Sequence, residues 1–408
     1  MKKKMKVGIA ALLCLAFALG STITYLVVGS PYPPDVTRVK VNHPPLHEAD
    51  YIVGVFNSTH YYAKNGTTGD YDYILSNFKT LLSNIIKDNT KIYIMEGDYW
   101  FTSYLTVTVH NVTIQGAGMK NTMFHANTSG GNTYNGGLIN LLNCSNVELK
   151  DFGIHGHFSD GYCPQGLRGI QLVGTTHDCL VDSVYVTETN GTAIEITGNT
   201  WGSGTYPDDC PYDNTVQNCL IENIGYNPAG VAGEGNGIDI VDAYRNKILH
   251  NTIRNVAETQ NGIDFYWNTH ANLVEGNQIF DCSYGIAIER DSYGNHFNNT
   301  IVHNVITGTK ITGIMLASWS DANSPEIKYN KIINNYIQSN MTPTGSGIRL
   351  DGYGTSEVYF NEFRGNTICD FGTTLSIPFF GIFLLNPDNS ARSDFRADTP
   401  LSIPFFGI

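Results

Sequence analysis

The chain has 408 residues, of which only 15% are charged, and it contains 42 glycines and 24 tyrosines. Its formal net charge is −13 at pH 7, so it lacks the basic face that nucleic-acid binding requires. A chain with few charges and abundant glycine, asparagine, threonine and serine favours many short strands and turns over helices.

The N-terminal residues 1–29 predict insertion into a membrane. Four lysines precede a stretch from Val7 to Val28 that is uncharged, mainly apolar and long enough to cross a bilayer. The lysines predict a cytoplasmic N-terminus and an exported remainder. A cleavable signal peptide ending near Gly20 is the alternative. Because the apolar run continues beyond Gly20, we favour an uncleaved anchor.

The next two segments are shorter than a domain. Residues 30–50 are rich in proline and predict a linker. Residues 51–90 predict an N-terminal cap region. Within it, the apolar spacing of Phe78 to Lys87 predicts a short amphipathic helix.

Residues 91–382 contain a repeated pattern, Asn-x-apolar-x-x-Asn-x-apolar, that predicts a solenoid. Successive copies are 26 to 31 residues apart. If coils stack, the second asparagine of each copy forms a ladder at one turn. These asparagines are Asn251, Asn277, Asn304, Asn335 and Asn366.

A second motif, Gly-Ile-x-apolar, lies between the copies, for example GIDI at Gly237 and GIDF at Gly262. Two short strands and their turns in each period leave no room for helical crossovers, so the fold class predicted is all-β, a parallel β-helix of about eight to ten coils. After it, residues 383–408 predict an irregular tail, in which LSIPFFGI recurs without change at Leu401.

The repeats resemble those of the right-handed parallel β-helix proteins of the pectin-lyase-like superfamily. The segment IYIMEGDYW, from Ile92, resembles the opening coils of polysaccharide-active members. The resemblance implies the fold and, as partner, a polysaccharide or surface glycan. It leaves the reaction open, because the superfamily includes lyases, hydrolases, epimerases, tailspikes and adhesins. The catalytic signatures of polygalacturonases and pectate lyases are absent, and Ile240 and Val241 replace the Pro and His of the mannuronan epimerase cluster.

The x position of Gly-Ile-x-apolar points outward if its apolar neighbours point inward. Three consecutive coils then place Glu195, Asp239 and Asp264 in one outward column along a shallow groove. Like charges in register destabilise a sheet, so something should offset their repulsion. One option is a shared Ca²⁺, with all three acids as ligands. The other is a proton held by one acid, which suits catalysis by paired carboxylates. The full column follows the order Asn140, Gln171, Glu195, Asp239, Asp264, Ala287, Met315, Arg349 and Phe383.

Aromatic residues follow these x positions and would offer stacking surfaces for sugar rings. The candidates are Trp201, Tyr266 and Trp267, with His270 and Arg290 as further substrate-binding residues. The sequence His155-Gly156-His157 suggests a metal site, but a flexible loop is the interpretation we favour.

The function predicted is that of an exported, cell-surface β-helix that binds an extracellular polysaccharide. Cleavage or epimerisation of that polysaccharide would make it a lyase, hydrolase or epimerase, and the sequence leaves its status as an enzyme open. The alternative is a non-catalytic adhesion or spacer module.

Overall fold

A computed structural model of the chain describes residues 48–127, 136–157, 166–198, 209–225, 235–290, 294–318, 326–339, 346–352, 357–369 and 382–385. The predicted anchor at 7–28, most of the linker and both LSIPFFGI segments, apart from Ile382, lie outside these residues. Within the described ranges, no helix has the length and apolar character needed to cross a bilayer.

The described chain opens with three antiparallel strands. They are β1 (Tyr51–Asn57), β2 (His60–Asn65) and β3 (Tyr71–Leu75), which pair in the order β3-β2-β1. β1 also pairs in parallel with β4 (Lys91–Ile94), so this small antiparallel unit continues directly into the first sheet of the solenoid.

One helix, α1 (Phe78–Ile85), follows the antiparallel strands, as predicted. It begins after Asn77, whose side chain accepts a hydrogen bond from the Thr80 backbone N–H at 2.8 Å. It ends two residues before Lys87, because Ile86 is already extended. The Phe78 ring lies 4.6 Å from that of Tyr99 and anchors the buried face of the helix on the first coils.

The first parallel sheet carries the first half of each Asn-x-apolar-x-x-Asn-x-apolar repeat. After β4 it contains β7 (Thr113–Gly116), β10 (Glu148–Lys150), β13 (Leu180–Asp182), β16 (Thr215–Gln217), β19 (Lys247–Leu249), β22 (Leu273–Glu275), β26 (Thr300–Val302), β30 (Lys331–Ile333) and β34 (Glu362–Arg364).

The second sheet carries the other half of each repeat and has ten strands, one per coil. They are β5 (Gly97–Phe101), β8 (Thr122–Ala126), β11 (Gly153–His155), β14 (Tyr185–Thr187), β17 (Leu220–Ile224), β20 (Thr252–Val256), β23 (Gln278–Phe280), β27 (Val305–Thr309), β31 (Tyr336–Ser339) and β35 (Thr367–Cys369).

The third sheet carries the Gly-Ile-x-apolar motif. Its strands are β6 (Leu105–Val107), β9 (Gly137–Leu142), β12 (Arg168–Val173), β15 (Ile194–Thr197), β18 (Ile238–Tyr244), β21 (Asn261–His270), β24 (Tyr284–Arg290), β28 (Thr312–Ser318), β32 (Ser346–Gly352) and β36 (Ile382–Leu385). Three short strands extend it towards the first sheet: β25 (His296–Phe297), β29 (Glu326–Lys328) and β33 (Glu357–Tyr359). Three parallel sheets with one strand of each per coil confirm the predicted parallel β-helix. Each coil has three strands where two were predicted, because the corner at the second asparagine divides each Asn-x-apolar-x-x-Asn-x-apolar repeat between two sheets.

The core consists of apolar columns that run along the solenoid axis. In the third sheet, Ile194, Ile238 and Ile263 pair in register, and all three are fully buried. The same position continues through Ile286, Ile314 and Ile348. Full burial of one such side chain contributes about 1.5–3 kcal/mol relative to exposure, so the columns bind each coil to the next.

The asparagine ladder is confirmed. Nδ2 of Asn251 donates to Oδ1 of Asn277, and the same bond joins each pair from Asn277 to Asn366, all at 3.0 Å. The first asparagine of each repeat forms a second ladder, which the sequence reading missed: Asn214, Asn246, Asn272, Asn299, Asn330 and Asn361.

Both ladders follow from the same corner geometry. Each corner turns through a residue with positive φ, such as His250 (54°) before Asn251 or Arg245 (55°) before Asn246. The asparagine that follows is buried, and its side chain bonds the backbone N–H of the coil before it and a carbonyl oxygen inside the corner. These bonds satisfy polar groups that the sharp turns would otherwise leave buried without partners.

Candidate functional site

The predicted column of x positions is present in the third sheet. Glu195 of β15 pairs with Asp239 of β18, and Asp239 pairs with Asp264 of β21. The register also places Gln171 before Glu195 and Ala287 after Asp264. Since neighbouring strands are about 4.8 Å apart, the three acids are successive neighbours along the solenoid axis.

The three acids are buried, whereas the sequence reading expected a shallow, solvent-facing groove. The exposed fractions of Glu195, Asp239 and Asp264 are 4%, 8% and 4%. The shielding arises in part from polar side chains three positions earlier in the same coils. Among these are Thr192 and Asn236, which bond to the column and are themselves buried. The groove expectation is therefore corrected to a buried polar column.

Glu195 lies at the most positive part of the column. Its Oε2 is 2.8 Å from Nε of Arg168 and also accepts a hydrogen bond from the Gln171 side chain. Burial raises the pKa of Glu195 to about 7, while the positive charge of Arg168 opposes that shift. Arg168 was not among the predicted site residues. The sequence could have identified Arg168 by its position three residues before an x position, because Thr192 and Asn236 occupy the equivalent position in the next two coils.

Asp239 and Asp264 are held by one short and one long hydrogen bond. Thr192 Oγ1 donates to Asp239 Oδ2 at 2.6 Å, and Asn236 Nδ2 donates to Asp264 Oδ2 at 3.4 Å. Burial is the main cause that raises the pKa of both carboxyls. For Asp264, the nearby charges of Glu289 and Asp239 raise the pKa further.

The column contains buried acceptor oxygens that no described donor satisfies. Oδ1 of Asp239, Oδ1 of Asp264 and Oδ1 of Asn261 are buried and make no hydrogen bond to any described residue. Asn261 directs its Nδ2 to Oε1 of Glu289 at 3.1 Å, and Glu289 lies at the next outward position of β24. These three oxygens therefore need hydrogen-bond donors. A protonated carboxyl or a ligand hydroxyl would supply them.

Two of the predicted aromatic residues lie beside the column. Tyr266 follows Asp264 at the next outward position, and its ring is 5.0 Å from that of Trp267. Both side chains are partly exposed. Trp201 and the side chain of Arg290 lie outside the described residues.

His270 belongs to a different cluster. Its ring is stacked between Tyr244, at 5.1 Å, and Phe297, at 4.7 Å. Burial lowers the pKa of His270 to about 4, so the ring is neutral at physiological pH. Its position at the last residue of β21, six residues after Asp264, makes it part of an aromatic stack at a corner of the solenoid.

The structure does not gather the three acids as a calcium site would require. Among the described residues, the one group of three His, Cys, Asp or Glu side chains with ligand atoms within 4.8 Å of one another is His125, His155 and His157. Calcium needs several oxygen ligands around one point, and the shared Ca²⁺ stays a prediction beside the acid/base interpretation of the column.

Comparison with protein families matches residues 168–368 to the right-handed β-helix region family. Comparison with curated proteins finds no significant sequence match. Pectate lyase Pel9A is 13% identical, with a TM-score of 0.52 and coverage of 78% of each chain. A tailspike protein of E. coli bacteriophage HK620, solved with a hexasaccharide, is 12% identical, with a TM-score of 0.52 over 68% of this chain and 50% of its own.

A third similar structure is the A-module of mannuronan C-5 epimerase AlgE4 from Azotobacter vinelandii. It is 15% identical, with a TM-score of 0.44 over 70% of this chain and 90% of its own. At identities of 12–13%, the similarity to the pectate lyase and the tailspike concerns the fold, and it agrees with the family match and with the three parallel sheets. The protein is a right-handed parallel β-helix with the pectin-lyase-like fold.

Proposed function

We propose that the protein is an exported, membrane-anchored glycoside hydrolase that acts on an extracellular polysaccharide at the column of Glu195, Asp239 and Asp264. The observation that carries this proposal is the set of three buried acceptor oxygens without donors, on Asp239, Asn261 and Asp264. Sugar hydroxyl groups are donors, and a glycan would satisfy these oxygens once the side chains that cover the column, Thr192 and Asn236 among them, move aside on binding.

Glu195 and Asp239 are the proposed catalytic pair. They lie on adjacent coils, and a spacing of roughly 5 Å is that of the two carboxyls of retaining glycosidases. With its pKa raised to about 7, Glu195 holds a proton near neutral pH and serves as the general acid. Asp239, which accepts the Thr192 hydroxyl, is the proposed nucleophile.

A neutral glycan suits this site better than a polyuronate. The formal net charge of −13 and the adjacent carboxylates repel uronates, and no described calcium-like cluster of acids would neutralise them. Tyr266 and Trp267, beside the column, offer aromatic faces for sugar rings. The complex of the HK620 tailspike with a hexasaccharide supports a carbohydrate ligand in general.

The test is incubation of the detergent-solubilised full chain with a panel of neutral and uronate glycans, followed by assays for new reducing ends and for unsaturated ends. We expect reducing ends from a neutral glycan and none from the Asp239→Asn variant. Asp281→Asn is the matched control, because Asp281 is an exposed acid outside the column, and it should retain full activity.

The other outcomes each contradict the proposal. Unsaturated ends released from a uronate glycan would identify a lyase. If no glycan is cleaved, and if binding is the same for the parent, Asp239→Asn and Asp264→Asn, the column has no role in glycan recognition and the spacer interpretation holds.

The proposed location rests on the apolar segment 7–28 and the lysines that precede it. Membrane fractionation should recover the protein in the pellet, and residues after about 50 should be open to external protease. A soluble mature protein that begins near Ser21 would contradict the anchor and leave export intact.

A further inference from the structure

Three histidines meet on the outer face of the second sheet, near the N-terminal end of the solenoid. The register aligns Trp100 of β5, His125 of β8 and His155 of β11 in one outward column over three coils. His157 follows two residues after His155. The sequence reading favoured a flexible loop for His155-Gly156-His157, whereas the structure places His155 in a strand and His157 directly after it.

The ring nitrogens of these histidines converge on one point. Nδ1 of His125 lies 2.8 Å from Nε2 of His157, and one ligand nitrogen from each of the three rings lies within 4.8 Å of the others. The ring centroids of His155 and His157 are 4.1 Å apart. Nitrogens at this spacing can reach one ion, since zinc–nitrogen bonds are about 2.0–2.1 Å long.

A carboxylate supports the His125 ring from behind. Nε2 of His125 is 3.0 Å from Oδ1 of Asp98, which leaves Nδ1 to face the other histidines. Nδ1 of His155 accepts the backbone N–H of His157 at 3.1 Å, so Nε2 is the nitrogen with which His155 would bind a metal. A carboxylate that accepts the second N–H of a metal-bound imidazole fixes its tautomer and orientation, and such pairs are typical of histidine metal sites.

The rings are also held in place by packing. The Trp100 ring stacks on His125 at 4.5 Å and on His157 at 5.1 Å. A Cβ at Gly156 would approach the Glu188 carbonyl oxygen to 2.1 Å, so only glycine fits between the two histidines. His157 itself adopts a φ of 62°, an uncommon conformation for histidine that keeps its ring beside that of His125.

We propose that His125, His155 and His157 bind a divalent transition metal ion of the zinc class, with Asp98 as a positioning residue. Imidazole ligands favour zinc, copper and nickel over calcium and magnesium. Three protein ligands leave a fourth position for water or an external ligand. The site lies on the second sheet, whereas the acid column lies on the third, so it does not depend on the proposed hydrolase.

The experiment is a Zn²⁺ titration of the metal-stripped full chain in detergent, read by competition with a chromophoric chelator, together with the visible spectrum of the Co²⁺-loaded protein. We expect one equivalent to bind and Co²⁺ to give a tetrahedral absorption band. His125→Ala and His157→Ala should each weaken binding more than about 100-fold, and Asp98→Asn about 10-fold, the range of supporting carboxylates.

His303→Ala is the matched control, because the His303 side chain is 57% exposed and lies several coils away. It should leave affinity and spectrum unchanged. The proposal is overturned if no equivalent binds more tightly than free histidine, if Co²⁺ gives only an octahedral spectrum, or if His157→Ala and His303→Ala bind Zn²⁺ equally well. Circular dichroism of each variant shows whether a loss of binding reflects a loss of fold.

Discussion

Asp239 and Asp264 occupy the same position of the adjacent strands β18 and β21, and each buries an Oδ1 that no described residue contacts by a hydrogen bond. Two neighbouring carboxylates in a buried site repel when both are ionised. The folded protein therefore stabilises the protonated form of at least one of them. Protonating a carboxylate that is ionised in the unfolded chain lowers the free energy of unfolding near neutral pH. Residues that destabilise a fold in this way are common at functional sites.

Asp264→Asn should stabilise the protein above neutral pH. The pKa of Asp264 is raised well above its ordinary value of 3.8 by burial and by the charges of Glu289 and Asp239. Above neutral pH the Asp264 carboxyl is ionised in the unfolded chain, so folding must either protonate it or bury its charge. The amide avoids this cost, so we expect the free energy of unfolding to rise by about 1 kcal/mol or more at about pH 8.

The measurement is denaturant unfolding of the parent, Asp264→Asn and the exposed control Asp281→Asn at about pH 8 and about pH 4. The difference between Asp264→Asn and the parent should shrink at the lower pH, which is close to the ordinary pKa of 3.8, so that the unfolded chain is partly protonated as well. A lower stability of Asp264→Asn at both values would show that the carboxylate is ionised and well solvated in the folded protein.

Glu195 should make the stability of the fold decrease as pH rises. Its pKa increases from 4.5 in the unfolded chain to about 7 in the folded protein, chiefly through burial. The folded state thus holds a proton that the unfolded state has lost, and the contribution is complete below about pH 4.5 and lost as pH rises through about 7. For a shift of this size the loss is of the order of 3 kcal/mol.

Glu195→Gln should flatten this part of the pH profile, because the amide does not titrate. Glu258→Gln is the control, since the Glu258 side chain is 75% exposed, and it should keep the slope of the parent. Unfolding free energies measured from about pH 4 to about pH 8 test this. If Glu195→Gln keeps the slope of the parent, the Arg168 charge offsets burial and the pKa of Glu195 does not change on folding.

The recurring motifs predicted which residues of neighbouring coils align at the site, but they did not predict how deeply those residues are buried. Recurrence of the motif from coil to coil places Glu195, Asp239 and Asp264 in one column, because stacked coils align equivalent positions even where the loops between them differ in length. Their burial depends on Arg168, Thr192 and other side chains three residues before each x position, where the residue type varies from coil to coil. The histidine cluster was missed for a related reason: His125 lies 30 residues before His155, and only the pairing of β8 with β11 brings them together.

The glycine of the Gly-Ile-x-apolar motif was recognised in the sequence without a physical reason, and the structure supplies one. A Cβ on Gly262 would lie 2.6 Å from the Gly285 carbonyl oxygen and 2.6 Å from Cγ2 of Ile279. Gly262→Ala should therefore destabilise the protein by about 1–3 kcal/mol through overpacking. Gly136→Ala is the control, because its Cβ would meet only side-chain atoms, the nearest at 3.3 Å. Equal thermal midpoints for the two variants would show that the coils separate freely at Gly262.

Asn277 belongs to the asparagine ladder, and its neighbour Gln278 lies on the surface. Substitutions of these two adjacent amides therefore separate the contribution of the ladder from that of an exposed side chain. The Asn277 side chain is fully buried; its Nδ2 donates to Asn304 Oδ1 at 3.0 Å and to the Ile248 carbonyl oxygen at 2.8 Å. Its Oδ1 accepts the backbone N–H of Asn251 at 2.9 Å. Gln278 is exposed.

Asn277→Ala should lower the free energy of unfolding by about 2–4 kcal/mol, because it leaves two or more buried polar groups without partners at roughly 1–3 kcal/mol each. Gln278→Ala should change it by less than about 0.5 kcal/mol, as is usual for surface positions. Denaturant unfolding of both variants measures the difference. If Asn277→Ala is as stable as Gln278→Ala, water replaces the lost amide inside the corner, and the ladder contributes alignment of the coils without contributing stability.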